Sequence, residues 1–368
     1  MISKHRLKDV DFILLTTIFI LFIVGIIFIG STSYDTSFII TKNIKVQLFA
    51  FALGIGAIIL LSFIDYKVWE SMYRILYLSC IGFLLLVYIP GLGQVHFGAR
   101  SWISLGPLDF QPSEIVKIIF ILTFSKFLSE RQAQLQTFRG LLIAVAYSLP
   151  IIFLILIEPD LGNAAVLGII SFIMIFAAGL DYKIMWKSVG LTILSVPLVY
   201  RLLETHQKIR IDAFLNPNDL SLPGNYHVWN SKVAIGSGNF LGKGLFSGTQ
   251  KKLKFLPVQE SDFIFAVLCE ELGFLGGFFV ILLYALFLMR LTLAALRAKD
   301  TYGRLVITGI TGMFAFQIFE NIGMTMGIMP VTGITLPFIS YGGSSLLTNM
   351  IAIGIVISIS IRQQRLKF

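Results

Sequence analysis

The stretch "FILLTTIFILFIVGIIFI" occupies Phe12–Ile29 and holds no charged residue. It follows a basic start, Lys4, Arg6 and Lys8. A secretory signal core is about 7–15 residues and is followed by a small-residue cleavage site. This run is longer and no such site follows, so it is expected to remain as a first membrane helix. The rest of the chain has the same character. Of 368 residues 56% are hydrophobic and 13% charged, against about 25% charged in an ordinary soluble domain. Mean hydropathy is +0.86, and 33 phenylalanines suit lipid-facing surfaces. Composition therefore reads as a polytopic membrane protein.

Runs long enough to span a bilayer fall at 11–30, 46–64, 73–90, 113–128, 140–157, 163–180, 184–203, 263–289, 305–325 and 345–361. The expected fold is an all-α bundle of ten transmembrane helices forming one integral membrane domain, 1–368. The formal charge is +9. We attribute it to the bias of Lys and Arg toward cytoplasmic loops, not to nucleic-acid binding. One side of the threading holds Lys4, Arg6, Lys8, Lys67, Arg131, Arg139, Lys183, Lys187, Arg290, Arg297, Lys299, Arg362, Arg365 and Lys367; the short loops opposite hold Lys42, Lys45 and Arg100. Both termini are therefore expected in the cytoplasm. Cys80 and Cys269 lie in apolar stretches and read as buried inert thiols.

Two connections depart from short loops. Residues 204–262 form a long segment between the seventh and eighth spans; Tyr226, Trp229, Phe240, Phe246 and Phe255 make it too aromatic for disorder. It is expected to be an ordered extracytoplasmic loop. Residues 327–345 are apolar but broken by Pro330, Pro337, Gly342 and Gly343. Irregular backbone at membrane depth is tolerated where it lines a cavity or is packed by protein; the alternative is a plain return loop.

With this threading the unusual polar residues converge on the outer side: Arg100 and Trp102, Glu114 and Lys117, Glu158 and Asp160, Arg210, Lys243 and Asp262. Each has an ordinary explanation. Ser113 or Glu114 could cap a helix after Pro112, Asp160 could satisfy the turn after Pro159, Lys117 could snorkel, and Asp262 could be an N-cap or a first-turn acid facing the helix dipole. So many charges around one cavity are costly at membrane depth, which favours function. In "LPVQESDFIFAVLCEELGFLGG" (256–277), Glu270 falls about 12 Å below Asp262 on one helix face, at 1.5 Å per residue. Glu270, Glu271 and Glu320 read as structural hydrogen-bonding groups, and Asn321 as polar packing.

Six segments carry a family resemblance: "GARSWI" (98–103), "FQPSEIVK" (110–117), "EPDLG" (158–162), "AIGSGNFLGKGLFSGTQ" (234–250), "LPVQESDFIFAVLCEELG" (256–273) and "TGITLPFISYGGSS" (332–345). Together they resemble the SEDS family (shape, elongation, division and sporulation), most closely its RodA branch. Glu158 stands where that family often has glutamine, and Asn239 where it often has glycine. The resemblance implies ten helices in the bacterial cytoplasmic membrane and polymerisation of lipid II on its outer face, with Asp262 as the catalytic aspartate. It also implies a class B penicillin-binding protein and other elongation-complex membrane proteins as partners. The chain itself contains no transpeptidase motif.

Joining a sugar hydroxyl to an α-linked donor to give a β product needs one inverting displacement. That step requires a base and positive charge for the departing pyrophosphate. Asp262 is the candidate base. Arg100, Lys117, Arg210 and Lys243 are candidates for the pyrophosphate, with Trp102 in the same substrate-binding group. Glu114, Asp160 and Ser344 are supporting polar residues. A divalent cation, Mg or Mn, could bridge Glu114, Asp160 and Asp262, although no motif demands one. The competing readings are a lipid II flippase, a non-enzymatic scaffold, and the division (FtsW-like) or sporulation branch of the same family.

Overall fold

The structure, a computed structural model, describes residues 11–33, 40–89, 92–96, 99–105, 108–202, 205–252 and 258–362. The terminal basic residues Lys4, Arg6, Lys8, Arg365 and Lys367, and Phe255, lie outside them. The helices are α1 (Phe12–Ser33), α2 (Lys42–Phe63), α3 (Tyr66–Ser71), α4 (Tyr73–Leu85), α5 (Pro112–Ser129), α6 (Phe138–Ile157) and α7 (Leu161–Ala177). Then come α8 (Tyr182–Leu202), α9 (Thr205–Leu215), α10 (Asn225–Ser237), α11 (Thr249–Lys252), α12 (Ile264–Arg297), α13 (Thr301–Met326) and α14 (Gly343–Ile361).

Each of the ten apolar runs falls on a helix. Among the described residues six helices are long and apolar enough to cross a membrane: those at Phe12–Thr32, Lys42–Phe63, Phe138–Ile157, Ile264–Arg297, Thr301–Met326 and Gly343–Ile361. Tyr73–Tyr88 and Leu161–Ala177 are shorter apolar helices. The other two, α5 and α8, carry charge: Glu114, Lys117 and Lys126 on α5, and Lys183, Lys187 and Arg201 on α8. The centre of the bundle is α13 and α14, most of whose residues are buried. Around them Phe19, Leu60, Phe153 and Leu194 are all more than half exposed. Apolar surface on that scale needs a lipid solvent.

The all-helical expectation misses one element. Residues around "GARSWISLG" form a three-stranded antiparallel sheet, β1 (Gly93–His96), β2 (Ala99–Leu105) and β3 (Leu108–Phe110), in that order. The register pairs Gln94 with Trp102 and Ile103 with Phe110, with a shift between Gln94 and Val95. The cause is a short period-2 pattern: Ser101 and Ile103 are buried and Trp102 between them is half-exposed.

The long helix α12 is interrupted. Gly273 has φ 69° and ψ −163°, which removes the helical bonds from the N–H groups of Phe274 and Leu275 to the carbonyls of Glu270 and Glu271. The segment before α11 replaces them one for one. Lys243 N donates to Glu270 O (3.0 Å), Gly244 N to Glu271 O (3.0 Å), Phe274 N to Asn239 O (2.9 Å) and Leu275 N to Phe240 O (3.3 Å). A broken helix at membrane depth is tolerated only when its freed backbone groups are paired again. The glycines of "GSGNFLGKG" permit this approach: a Cβ on Gly242 would lie 2.1 Å from Glu271 O. Asn239, with φ 48°, turns the chain where a left-handed residue is needed; Asn enters that region more readily than most residues.

Candidate active site

The irregular segment between α13 and α14 builds one wall of the site. It is no plain return loop: Ile334, Leu336, Phe338, Ile339 and Ser340 are buried. Side chains from three helices take up its backbone groups, and a fourth helix meets one of its side chains. Asn321 Nδ2 donates to Ile334 O (2.8 Å), Tyr284 Oη to Pro337 O (2.6 Å) and Gln47 Nε2 to Ser340 O (3.0 Å). Gln47 Oε1 accepts from Gly342 N at 3.2 Å. From α14, Ser345 Oγ and Thr335 Oγ1 lie 2.8 Å apart.

This wall also holds the turn that carries Asp262. Tyr341 N donates to Glu260 O (2.8 Å) and Ser340 Oγ to Ser261 O (2.5 Å). Helix α12 starts after Phe263, which makes no side-chain capping bond. The N-cap explanation of Asp262 therefore fails. Its Oδ1 accepts from Ser261 Oγ at 2.7 Å, and its Oδ2 faces Gly333, where a Cβ would lie 3.7 Å away. Among the described residues Oδ2 has no hydrogen-bond donor, and the side chain stays partly exposed. Burial pushes the Asp262 carboxyl above the usual carboxylate range; the Ser261 hydroxyl and the positive Arg210 pull it back, while Glu260 pushes it up.

A second polar cluster joins the start of α5 to the start of α7. Lys117 is completely buried, so it does not snorkel. Its ammonium donates to Glu114 Oε1 (2.7 Å) and Asn163 Oδ1 (2.9 Å). Asp160 is the N-cap of α7, its Oδ1 accepting from Asn163 N at 3.0 Å, so the turn explanation holds for it. Its Oδ2 also accepts from Gln111 Nε2 and Asn163 Nδ2, both at 2.8 Å. Neither Ser113 nor Glu114 caps α5: its N-cap is Gln111, without a side-chain bond. Ser344 Oγ accepts from Gln111 N at 3.3 Å, tying α14 to this cluster.

Residues 332 and 333 touch both sides: Gly333 faces Asp262, and Thr332 meets the start of α7. A Cβ on Gly162 would lie 3.0 Å from Thr332 O, so α7 begins in contact with the residue preceding Gly333.

The candidate cations separate into distinct settings. Arg210, on α9, is half-exposed, makes no ion pair among the described residues, and its charge reaches Asp262. Lys243 does not join Asp262. Its ammonium donates to Glu270 Oε1 (2.7 Å) and Thr249 Oγ1 (2.7 Å), fastening the segment that repairs the α12 break. Arg100 lies on β2, but its side chain is outside the described residues; Trp102 is half-exposed beside it. Glu270 also accepts from the backbone N–H of Thr249 and Gln250. Glu271 accepts from Ser31 Oγ (2.7 and 2.8 Å) and Phe246 N (3.1 Å). Among the described residues no group of three or more His, Cys, Asp or Glu could hold a metal ion. Glu114 and Asp160 are engaged by Lys117, Asn163 and Gln111, and do not gather with Asp262.

Sequence reasoning did not single out Gln111, Asn163 or Thr332. Glu158, one of the polar residues expected on the outer side but given no role, is buried with both carboxylate oxygens unpartnered among the described residues; burial, then Asp160, pushes its carboxyl up to about 8.

Residues 12–365 match the family model FTSW_RODA_SPOVE, described as "Cell cycle protein". Stage V sporulation protein E of Bacillus subtilis is 38% identical over 98% of this chain and 99% of that protein. Peptidoglycan glycosyltransferase MrdB of Escherichia coli is 37% identical over 86% of this chain and 85% of that protein. A chain from a solved peptidoglycan synthase complex, in which polymerization and crosslinking are structurally coordinated, superposes with TM-score 0.82 at 30% identity, covering 96% of this chain and 98% of that one.

Proposed function

The chain belongs to the FtsW–RodA–SpoVE family, and from that premise we propose that it is a peptidoglycan glycosyltransferase polymerising lipid II, in the elongation branch. The observation that carries this reading is the state of Asp262: a carboxylate that does not cap its helix, partly exposed, with no donor to Oδ2 among the described residues and a cation, Arg210, within electrostatic reach. In the reaction, Oδ2 accepts the proton of the GlcNAc 4-hydroxyl as its oxygen bonds to the MurNAc anomeric carbon. The bond from that carbon to the pyrophosphate breaks, and undecaprenyl pyrophosphate leaves with the electron pair. One displacement converts the α donor to a β product. Arg210 offers a fork suited to pyrophosphate oxygens. Lys117, completely buried and held by Glu114 and Asn163, supports the start of α7 beside the site.

The Lys/Arg asymmetry of the loops supports a bacterial cytoplasmic membrane location with the site on the outer face. A class B penicillin-binding protein supplying the crosslinking step fits the similarity to a chain of a synthase complex. Purified protein given labelled lipid II tests the activity: glycan polymer is the expected product. Leaflet-to-leaflet transfer in vesicles without polymer would instead identify a transporter.

A further inference from the structure

The reaction leaves Glu320 without a task. This carboxylate sits on α13 with 1% of its surface exposed. Its Oε1 accepts the Thr332 hydroxyl, and its Oε2 has no partner among the described residues. An acid in a buried helix of a membrane bundle is costly and usually functional. Its neighbour Asn321 donates to two backbone oxygens, Asp262 O (3.1 Å) and Ile334 O (2.8 Å). Consecutive residues of one helical turn thus grip both the backbone of the candidate base and the wall opposite its carboxylate.

The residue Glu320 holds is a hinge point between the two polar clusters. On one side, Gly162 packs against Thr332, with 3.0 Å from its would-be Cβ to Thr332 O and 3.4 Å to Thr332 Cβ. Two residues before Gly162 is Asp160, which organises Asn163 and, through it, Lys117. On the other side, Gly333 faces Asp262 Oδ2. Any shift of Thr332 moves the Asp262 wall relative to the start of α7.

We propose that Glu320 is a positioning residue for glycosyl transfer: through its hydrogen bond to Thr332 it fixes the turn that sets the separation between Asp262 and the Asp160–Asn163–Lys117 cluster. An in-line displacement needs the acceptor hydroxyl and the leaving pyrophosphate held on opposite sides of one carbon. A displacement of about 1 Å in such a site can cost on the order of a hundredfold in rate. The proposal rests on Asp262 being the base.

The test uses the full-length purified protein, with kcat and KM for lipid II polymerisation normalised to folded protein. Glu320→Ala and Thr332→Val should each lower kcat about ten- to a hundredfold while KM changes little. The double variant should be no worse than either single one, because both remove one bond. Glu320→Gln still accepts the Thr332 hydroxyl and should retain most activity. Full activity per folded molecule in Glu320→Ala or Thr332→Val overturns the proposal. So do additive losses in the double variant, or a Gln variant as impaired as Ala, since charge would then be what matters. If Glu320→Ala does not fold, Thr332→Val decides alone, because it keeps the side chain's shape at a half-exposed position. Asp262→Asn measured alongside separates the premises: wild-type activity there removes the base, whereas the Glu320 and Thr332 pattern reports on the clamp itself.

Discussion

A carboxylate base and a helix cap make different demands on Asp262. Asn caps about as well as Asp but cannot take a sugar proton. With no capping bond to lose, Asp262→Asn should keep its melting temperature and its lipid II binding. Polymerisation should fall by about 10²–10⁴, the usual worth of a general base; near wild-type turnover would remove the assignment. The pH profile gives a second reading. The base works deprotonated, so activity falls as pH drops through its pKa. Burial raises that pKa and Arg210 lowers it, so Arg210→Ala should move the acid limb of kcat/KM to higher pH. It should also weaken donor use by about ten- to a hundredfold, the worth of one charge-assisted contact. A limb that stays fixed or moves down means that Arg210 does not act on the base. Lys117 belongs to a different class. Removing it leaves Glu114 charged and buried, which costs roughly 3–5 kcal/mol when one partner of a buried pair is deleted. Lys117→Ala should therefore unfold at markedly lower temperature, and Lys117→Met combined with Glu114→Gln should recover most of the loss. The residue types of this site were legible in the sequence, but their pairings were not. Lys117 and Asn163 are 46 positions apart, and Lys243 read as a free cation because its partner Glu270 lies 27 positions on.

At the scale of single elements, hydropathy located the helices but not the break in α12. A glycine in an apolar helix is common in membranes, and nothing local distinguishes Gly273 from Gly56 on α2. The difference is tertiary. A Cβ at Gly273 would lie 2.3 Å from Gly242 N and 2.7 Å from Phe240 O, at φ +69°; at Gly56 it would meet nothing within 4 Å. Gly273→Ala should separate the break from the segment that repairs it, leaving the carbonyls of Glu270 and Glu271 and two N–H groups unpaired. Each buried unpaired group costs about 1–3 kcal/mol, so thermal unfolding in detergent should drop sharply. Gly56→Ala should be neutral or stabilising by roughly 0.5–1 kcal/mol, since glycine weakens a helix by that much. Equal melting temperatures for the two variants would mean that the interruption carries no stability. The small sheet escaped for a related reason: its strands are too short for a period-2 signal to stand out against ten apolar helices.

At the scale of the molecule, the ends of the bundle differ in kind. At one end short polar links tie the helix ends together. Arg290 pairs with Asp11 (2.6 Å), Lys126 with Glu70 (2.8 Å), Tyr66 with Asp300 (3.0 Å), and Arg362 donates to Phe63 O (2.9 Å). At the other end lie the sheet, α9, α10 and segment 327–342, the last of which faces Asp262 at Gly333. The sequence already assigned the basic loops to the first end, because loop charge is a local count that needs no tertiary knowledge. What it could not supply was how the second end closes over a site. Orientation in the cell follows from that charge: the Lys/Arg-bearing end should stay in the cytoplasm, with 204–262 outside, where a lipid-linked donor would be polymerised. Thiol labelling reads this cleanly, since Cys80 and Cys269 are both buried. A cysteine at exposed Asn218, on the outer segment, should react with a membrane-impermeant maleimide in intact cells. A cysteine at exposed Lys67, on the opposite end, should react only after permeabilisation. The reverse pattern would put Asp262 on the cytoplasmic side, where polymerisation on the outer face could not occur, and the proposed function would fall with the topology.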